Sequence, residues 1–431
     1  MDPNTQSALT VDRAAAMEWY LRNRDRSRRI FDLIDPTAYY ARPIALRNPI
    51  VFYEGHLPAF SLMAFLHRGL DRPGVDPRLE ALFARGIDPD SIDAAVPRSG
   101  AGTIWPPREE VLAFGSAADA RILDALAGAP FDEDRPPMRR AEALYTALEH
   151  EAMHQETLLY MWHRLPYEQK LKPEGVRYQL GDEPPEGAAV RIPAGTATLG
   201  ADPASVRFGW DNEFHAHTVD VPDFEIDRHN VTNADFLKFV EAGAYRTRTL
   251  WSDADWAWLQ SDRVEHPAFW VPDGERGWSW RGMFELIPLP GAWPVYVSQA
   301  EASAYARWTR RRLPTEAEWH RAATGARPGN IDFQSWEPVP AGARPGTESD
   351  WGVHDLVGNG WEWTSTIFGP FAGFEPMVSY PEYSADFFDG EHYVLKGASP
   401  ATAAELVRPS FRNWFRPNYP YVYATFRTVA A

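Results

Sequence analysis

Apolar residues recur at three- and four-residue spacings through the first part of the chain and give way to short, broken runs in the second. The helical period predicts helices over residues 11–33, over the stretch after Pro49, over 108–126 and over 138–165. In the last of these, Leu144, Leu148, Leu158, Met161, Trp162 and Leu165 carry the period. Pro136 and Pro137 stand just ahead of it, where proline is tolerated. Four such helices with polar, proline-containing connections predict an antiparallel four-helix bundle. The segment KLKPEGVRYQLGDEPPEGAA (170–189) is polar and rich in Pro and Gly, which marks a domain boundary. Beyond it, strands are predicted at 190–193, 217–221 and 224–226, with helical breaks at 232–242 and 298–310. The expected plan is α + (α+β): a bundle over 1–170, a linker over 171–189 and an irregular α+β domain over 190–431.

Composition narrows the function. At about 150 residues per domain, 431 residues predict two or three domains. The net charge of −17 opposes nucleic-acid binding, which needs a basic face. The absence of cysteine excludes disulfides, thiolate metal sites, Fe–S clusters and a cysteine nucleophile. The first 16 residues are polar and include Asp2 and Asp12, without the basic start and apolar core of a secretory signal. No run reaches the roughly 18 apolar residues of a membrane span. A cytoplasmic protein with no membrane partner is the expectation, and the sequence implies no particular oligomeric state.

The chemistry is concentrated on the helix predicted over 138–165. His150 and His154 are four residues apart, which stacks their imidazoles on one face at about 6 Å between Cβ atoms and suits two ligands on one ion. His163 falls on the opposite side and reads as a surface residue. Glu156 leaves the ligand face too and fits a role in orienting an imidazole from a neighbouring helix. A third ligand must come from elsewhere, and His56, in the apolar stretch IVFYEGHLPAFSLMAFL, is the best placed. His150-Glu151-Ala152-Met153-His154 also matches the H-E-x-x-H pattern of zinc metalloproteases, with Glu151 as general base. Three neutral imidazoles leave a divalent ion's charge uncompensated and several positions open, which suits Fe(II) binding O2 and an anionic co-substrate. A three-histidine zinc site activating water stays open as the alternative.

The second half carries four signatures in order: RLPTEAEW (312–319), LVGNGWEWT (356–364), VLKGAS (394–399) and TFR (425–427). Together with RIPAGTATLG (191–200) they resemble the formylglycine-generating-enzyme-like fold, a variant of the C-type lectin architecture. Formylglycine generation itself is excluded, because it uses cysteines. A helical DinB-like bundle carrying H-x3-H-x-E, followed by this fold, resembles the ergothioneine sulfoxide synthase family over nearly the whole chain. That resemblance implies a non-haem Fe(II) held by His56, His150 and His154. It implies a reaction in which O2 drives coupling of a sulfur donor to imidazole C2 of hercynine (Nα-trimethylhistidine). It also implies that Asn413 of Arg412-Asn413-Trp414 holds the amino-acid end of hercynine. Trp414 and Phe415 would face the trimethylammonium through cation–π contacts. A proton would come from a tyrosine of the loop VSYPEYS, Tyr380 first and Tyr383 second.

Several positions depart from that family. Met153 replaces a Gln that would hydrogen-bond the substrate imidazole, and Phe415-Arg416 replaces Asp-Tyr. The Arg pair that grips γ-glutamylcysteine is not evident in Val96-Pro97-Arg98-Ser99-Gly100, and Gly397-Ala398-Ser399-Pro400 replaces Gly-Gly-Ser-Trp. Losing donors for two carboxylates suggests a donor that is not a γ-glutamyl peptide. These changes resemble the selenoneine synthase branch, which implies a neutral selenosugar as donor and a selenoxide as the first product. A thiol donor is the alternative.

Overall fold

The structure is a computed structural model, and it describes residues 11–84, 105–131, 134–181, 183–274 and 277–431. The chain divides into two units, Met1–Glu174 with Pro376–Tyr383, and Gly175–Glu375 with Ser384–Ala431. The short segment Pro376–Tyr383 thus clusters with the helices, although the sequence plan had left it inside the second half.

In the helical unit, α1 (Arg13–Phe31) begins where the Asp12 side chain accepts from Ala15 N. The second helix, α2 (Ile50–Ser61), is buried along its whole length and passes directly into a π-helical turn, Leu62–Gly69. Next come α3 (Pro77–Phe83), capped by Asp76 with proline at its first position, and α4 (Arg108–Gly128). The last is α5 (Glu142–Arg164). Its predicted start at 138 is moved because Arg140 and Ala141 take left-handed backbone conformations, φ 56° and 55°, which no α-helix continues through. Helix α1 packs on α5 and α4, and α2 packs on α4, α3 and α5.

This packing leaves α5 without a solvent face. His163, predicted at the surface, is 1% exposed. The adjacent Trp162 is buried too, its indole donating to Ile30 O of α1 at 2.8 Å. Farther along the helix pair Asn23 donates to Leu148 O and Gln155 donates to Asn23 O, so side-chain amides cross-link the two helices.

The second unit is built from short strands around buried tryptophans. One sheet orders β1 (Ala189–Ile192), β4 (Phe224–Asp227), β13 (Val429–Ala430) and β8 (Arg311–Arg312), and a small ribbon pairs β2 (Gly195–Leu199) with β3 (His217–Val221). Helices α6 (Asn233–Glu241) and α7 (Asp253–Asp262) lead to the ribbon β5 (Trp270–Asp273), β6 (Gly277–Arg281) and β7 (Leu286–Pro288). Helices α8 (Gln299–Trp308) and α9 (Glu316–Ala322) flank the sheet β11 (Asn413–Phe415), β10 (Tyr393–Ala398), β9 (Gly360–Ile367) and β12 (Ala424–Thr425).

The ordered signatures have structural work in this unit. Thr315 and Glu318 form a capping box at α9. The fully buried Glu362 of β9 accepts from Trp319, Asn230 and Arg427, which ties three of the four motifs into one ion-paired node. At Gly397, φ is +93° and a Cβ would lie 2.5 Å from Leu356 O, so a side chain there would clash with a neighbouring backbone.

Candidate metal centre

His56 comes from α2 and His150 and His154 from α5, and their ligand nitrogens all lie within 4.8 Å of one another. His150 Nε2 and His154 Nε2 are 3.2 Å apart, and the His56 ring centroid is 5.1 Å from each of the other two. His56 Nδ1 sits 2.8 Å from Phe83 O. That carbonyl, at the end of the short helix α3, accepts a hydrogen bond from Nδ1–H and leaves the Nε2 lone pair for a ligand. Gly55 permits the approach, since a Cβ there would lie 2.4 Å from the Phe83 ring. Aromatic rings wall the site: Phe52 stacks on His56, Phe60 stacks on His150, and Tyr53 tilts against His154.

Electrostatics keep all three rings neutral. Burial pushes His56 down to about 4. His150 is held well below the usual histidine range by burial, then by His154 and His56; His154 is held down by burial, then by His56 and Arg47. Buried His56 Nε2, His150 Nδ1 and His154 Nδ1 have no hydrogen-bond partner. Neutral imidazoles with unused nitrogens, converging in a dry site, fit a divalent metal that takes nitrogen ligands.

The depressed values have a consequence for the metal-free protein. Below about pH 6.5 the unfolded chain protonates these histidines while the folded chain does not, so stability falls as pH drops from there toward 4. Thermal unfolding of metal-free protein should therefore show a melting temperature that declines across that window. Replacing His154 by alanine should flatten the decline; an unchanged slope would contradict buried, neutral rings.

Segment Pro376–Tyr383 completes the helical unit's site. The Tyr380 ring lies edge-on to Phe60 at 5.0 Å and to His150 at 6.2 Å between centroids. Tyr383 is next to it, and its hydroxyl donates to Met153 Sδ at 3.4 Å. Met153 lies between the two ligands in sequence, so both candidate tyrosines and the residue that departs from the family pattern gather with the histidines.

Other expected residues lie differently. Glu151 is turned to α1, where its carboxylate accepts from Arg24 at 2.9 Å and Ser27 at 2.6 Å. That engagement commits the carboxylate to α1 and leaves the general-base role of the H-E-x-x-H reading without support. The Phe83 carbonyl, and not Glu156, orients His56. Arg412, expected at the substrate, is buried and engaged by Glu316 Oε1 and Oε2 at 3.0 and 3.1 Å and by Gly369 O. In the same unit Asn413, Trp414 and Phe415 form β11; Trp414 stacks on Phe368, and Phe415 on Tyr419. Residues Val96 to Gly100 lie outside the described residues.

Phe52 and Phe60, which sandwich the His56–His150 pair, were not foreseen. Their signal was available, since 52, 56 and 60 share one helix face at four-residue spacing. Glu142 and Thr146 continue the His150–His154 stripe by the same rule.

Comparison with known proteins fits this geometry. Residues 20–158 match the DinB superfamily, and residues 179–431 match the sulfatase-modifying factor enzyme 1-like domain. The hercynine oxygenase of Mycolicibacterium thermoresistibile is 34% identical over 429 residues, covering 94% of this chain and 92% of that protein. That of Mycolicibacterium smegmatis is 33% identical, covering 91% and 93%. Ergothioneine biosynthesis protein 1 of Neurospora crassa is 27% identical, covering 90% of this chain and 54% of its own length. The chain belongs to the ergothioneine-synthase-like family, in which a DinB helical domain precedes a sulfatase-modifying-factor-like domain.

Proposed function

We propose that the protein is an Fe(II)-dependent enzyme that uses O2 to couple a chalcogen donor to imidazole C2 of hercynine, in the manner of a sulfoxide synthase. The observation that carries this reading is the neutral triad of buried His56 and His150 with half-buried His154, in a chain that matches a hercynine oxygenase along nearly its full length. A ferrous ion held there would supply oxygen activation and bring hercynine and the chalcogen to one point. The Phe83 carbonyl fixes the His56 tautomer, and the rings of Phe52, Phe60 and Tyr53 keep bulk water from the nitrogens. Tyr380, whose ring lies against Phe60 and His150, would hold the proton that the iron-supplied oxygen chemistry takes up. Tyr383, whose hydroxyl donates to Met153 Sδ, is the second choice. Asn413 carries the hercynine-binding role that the family resemblance assigns, Trp414 and Phe415 offer aromatic faces to the trimethylammonium, and Arg412 braces the start of their strand.

One observation favours a second reading of the donor. Met153 offers a soft thioether where an amide is expected, and Phe415-Arg416 replaces an acid. These departures resemble the selenoneine synthase branch and support a neutral selenosugar as the second reading beside a thiol donor. The deciding experiment is an aerobic assay of the iron-loaded protein with hercynine and, in turn, γ-glutamylcysteine, a thiosugar and a selenosugar. Consumption of hercynine should yield an adduct whose mass contains the donor and one added oxygen, and the donor giving the highest kcat/KM identifies the chalcogen. Hercynine untouched by all three would overturn the proposal.

A further inference from the structure

The clustering of Pro376–Tyr383 with the helical unit has a specific chemical cause at Ser379. Every polar group of this fully buried residue is engaged by the helices. Its backbone N–H and its hydroxyl both meet Glu142 Oε1, at 2.9 and 2.8 Å. The same hydroxyl is 2.8 Å from Thr146 Oγ1. Its carbonyl accepts from Arg68 Nη1 at 2.9 Å, and Arg68 also reaches Glu382 at 3.3 Å.

These partners have an order. Glu142, Thr146, His150 and His154 form one stripe along α5 at four-residue spacing. The strap follows that stripe, with Ser379 at Glu142 and Thr146, Tyr380 at His150, and Tyr383 at Met153. The strap bends at Ser379 and turns over Tyr380–Tyr383, where Tyr383 N–H donates to Tyr380 O at 3.1 Å. Its side chains reach along the helix, which rises about 16 Å from Glu142 to Met153. A loop held by four hydrogen bonds, two of them to a carboxylate, keeps its neighbour in register far better than packing alone.

We propose that Glu142, Thr146 and Arg68, acting through Ser379, are positioning residues that fix the register of the strap and thereby place the Tyr380 hydroxyl at the metal centre. This rests on the proposed hercynine chemistry for its kinetic expression, but not for its structural one.

The test uses the full-length, iron-loaded protein and the variants Ser379→Ala, Glu142→Ala, Glu142→Gln, Tyr380→Phe and Ser379→Ala/Tyr380→Phe. In Ser379→Ala and Glu142→Ala, amide hydrogen exchange across 379–383 should quicken by about tenfold or more, with metal content unchanged. Their kcat should fall about tenfold while KM for hercynine holds. Glu142→Gln keeps an oxygen that accepts from Ser379, so it should restore both readouts. The double variant should be no slower than Tyr380→Phe alone, because both changes disable one step. Multiplying losses in the double variant, or an unaltered kcat in both alanine variants, would overturn the proposal. Should the native protein show no hercynine turnover, the exchange data decide alone: strap amides indifferent to Glu142→Ala would refute the clamp, and quickened ones would uphold it while the functional reading fell.

Discussion

Replacing His154 with alanine should abolish metal retention and product formation together, while leaving the protein folded. The ring is one of three converging nitrogen donors, and two ligands from two helices do not hold a divalent ion against exchange with solvent. The fold should survive, because the substitution removes a buried polar atom, His154 Nδ1, that has no partner. Removing such a group returns free energy that offsets part of the lost packing. The melting temperature of the metal-free variant should therefore stay close to that of the metal-free native protein. Metal at a hundred times its dissociation constant stabilises the native chain by about 2.7 kcal/mol, and this gain should vanish in the variant. Thermal unfolding with and without Fe(II), alongside a product assay, reads all of this. Full activity in His154→Ala would end the three-histidine assignment.

Changing Tyr380 to phenylalanine should slow coupling by about a hundredfold, the scale of a lost general acid, without releasing the metal. The ring that lies against Phe60 and His150 is kept, so only the hydroxyl is lost. Oxygen consumption should then run ahead of product formation, since oxygen is reduced without the proton that steers it into coupling. An unchanged ratio of product to oxygen would exclude Tyr380, and the same experiment on Tyr383→Phe would test the second tyrosine.

Legibility in the sequence followed the range of the interactions. The long helices were read from their period, and burial along α1 and α4 repeats every three to four residues. His150 and His154 were read as partners because helical spacing alone brings them together. The start of α5 was misplaced because two left-handed residues interrupt an otherwise helical run. His163 was misjudged because a helix wheel shows which face a residue takes, not whether that face meets water or a neighbouring helix. The ribbon β5–β7 passed unread: Pro272 and Pro288 within its strands weaken the strand signal.

The site's supporting cast was less accessible still. The Phe83 carbonyl lies 27 residues from His56 and is a backbone atom, which no side-chain pattern encodes. Ser379 is separated from Glu142 by 237 residues, and its role exists only once the strap is folded onto α5. Tyr380 was named from family likeness; the contacts of its ring with Phe60 and His150 give that choice a physical setting.

The central claim is that imidazoles from two helices hold one ferrous ion. The most direct measurement is an anaerobic titration of the metal-free protein with Fe(II), followed by elemental analysis after gel filtration, for the native chain and for His56→Ala. One iron retained per native chain and none in the variant is the expected result. No bound iron in the native protein, or equal retention without His56, would contradict it.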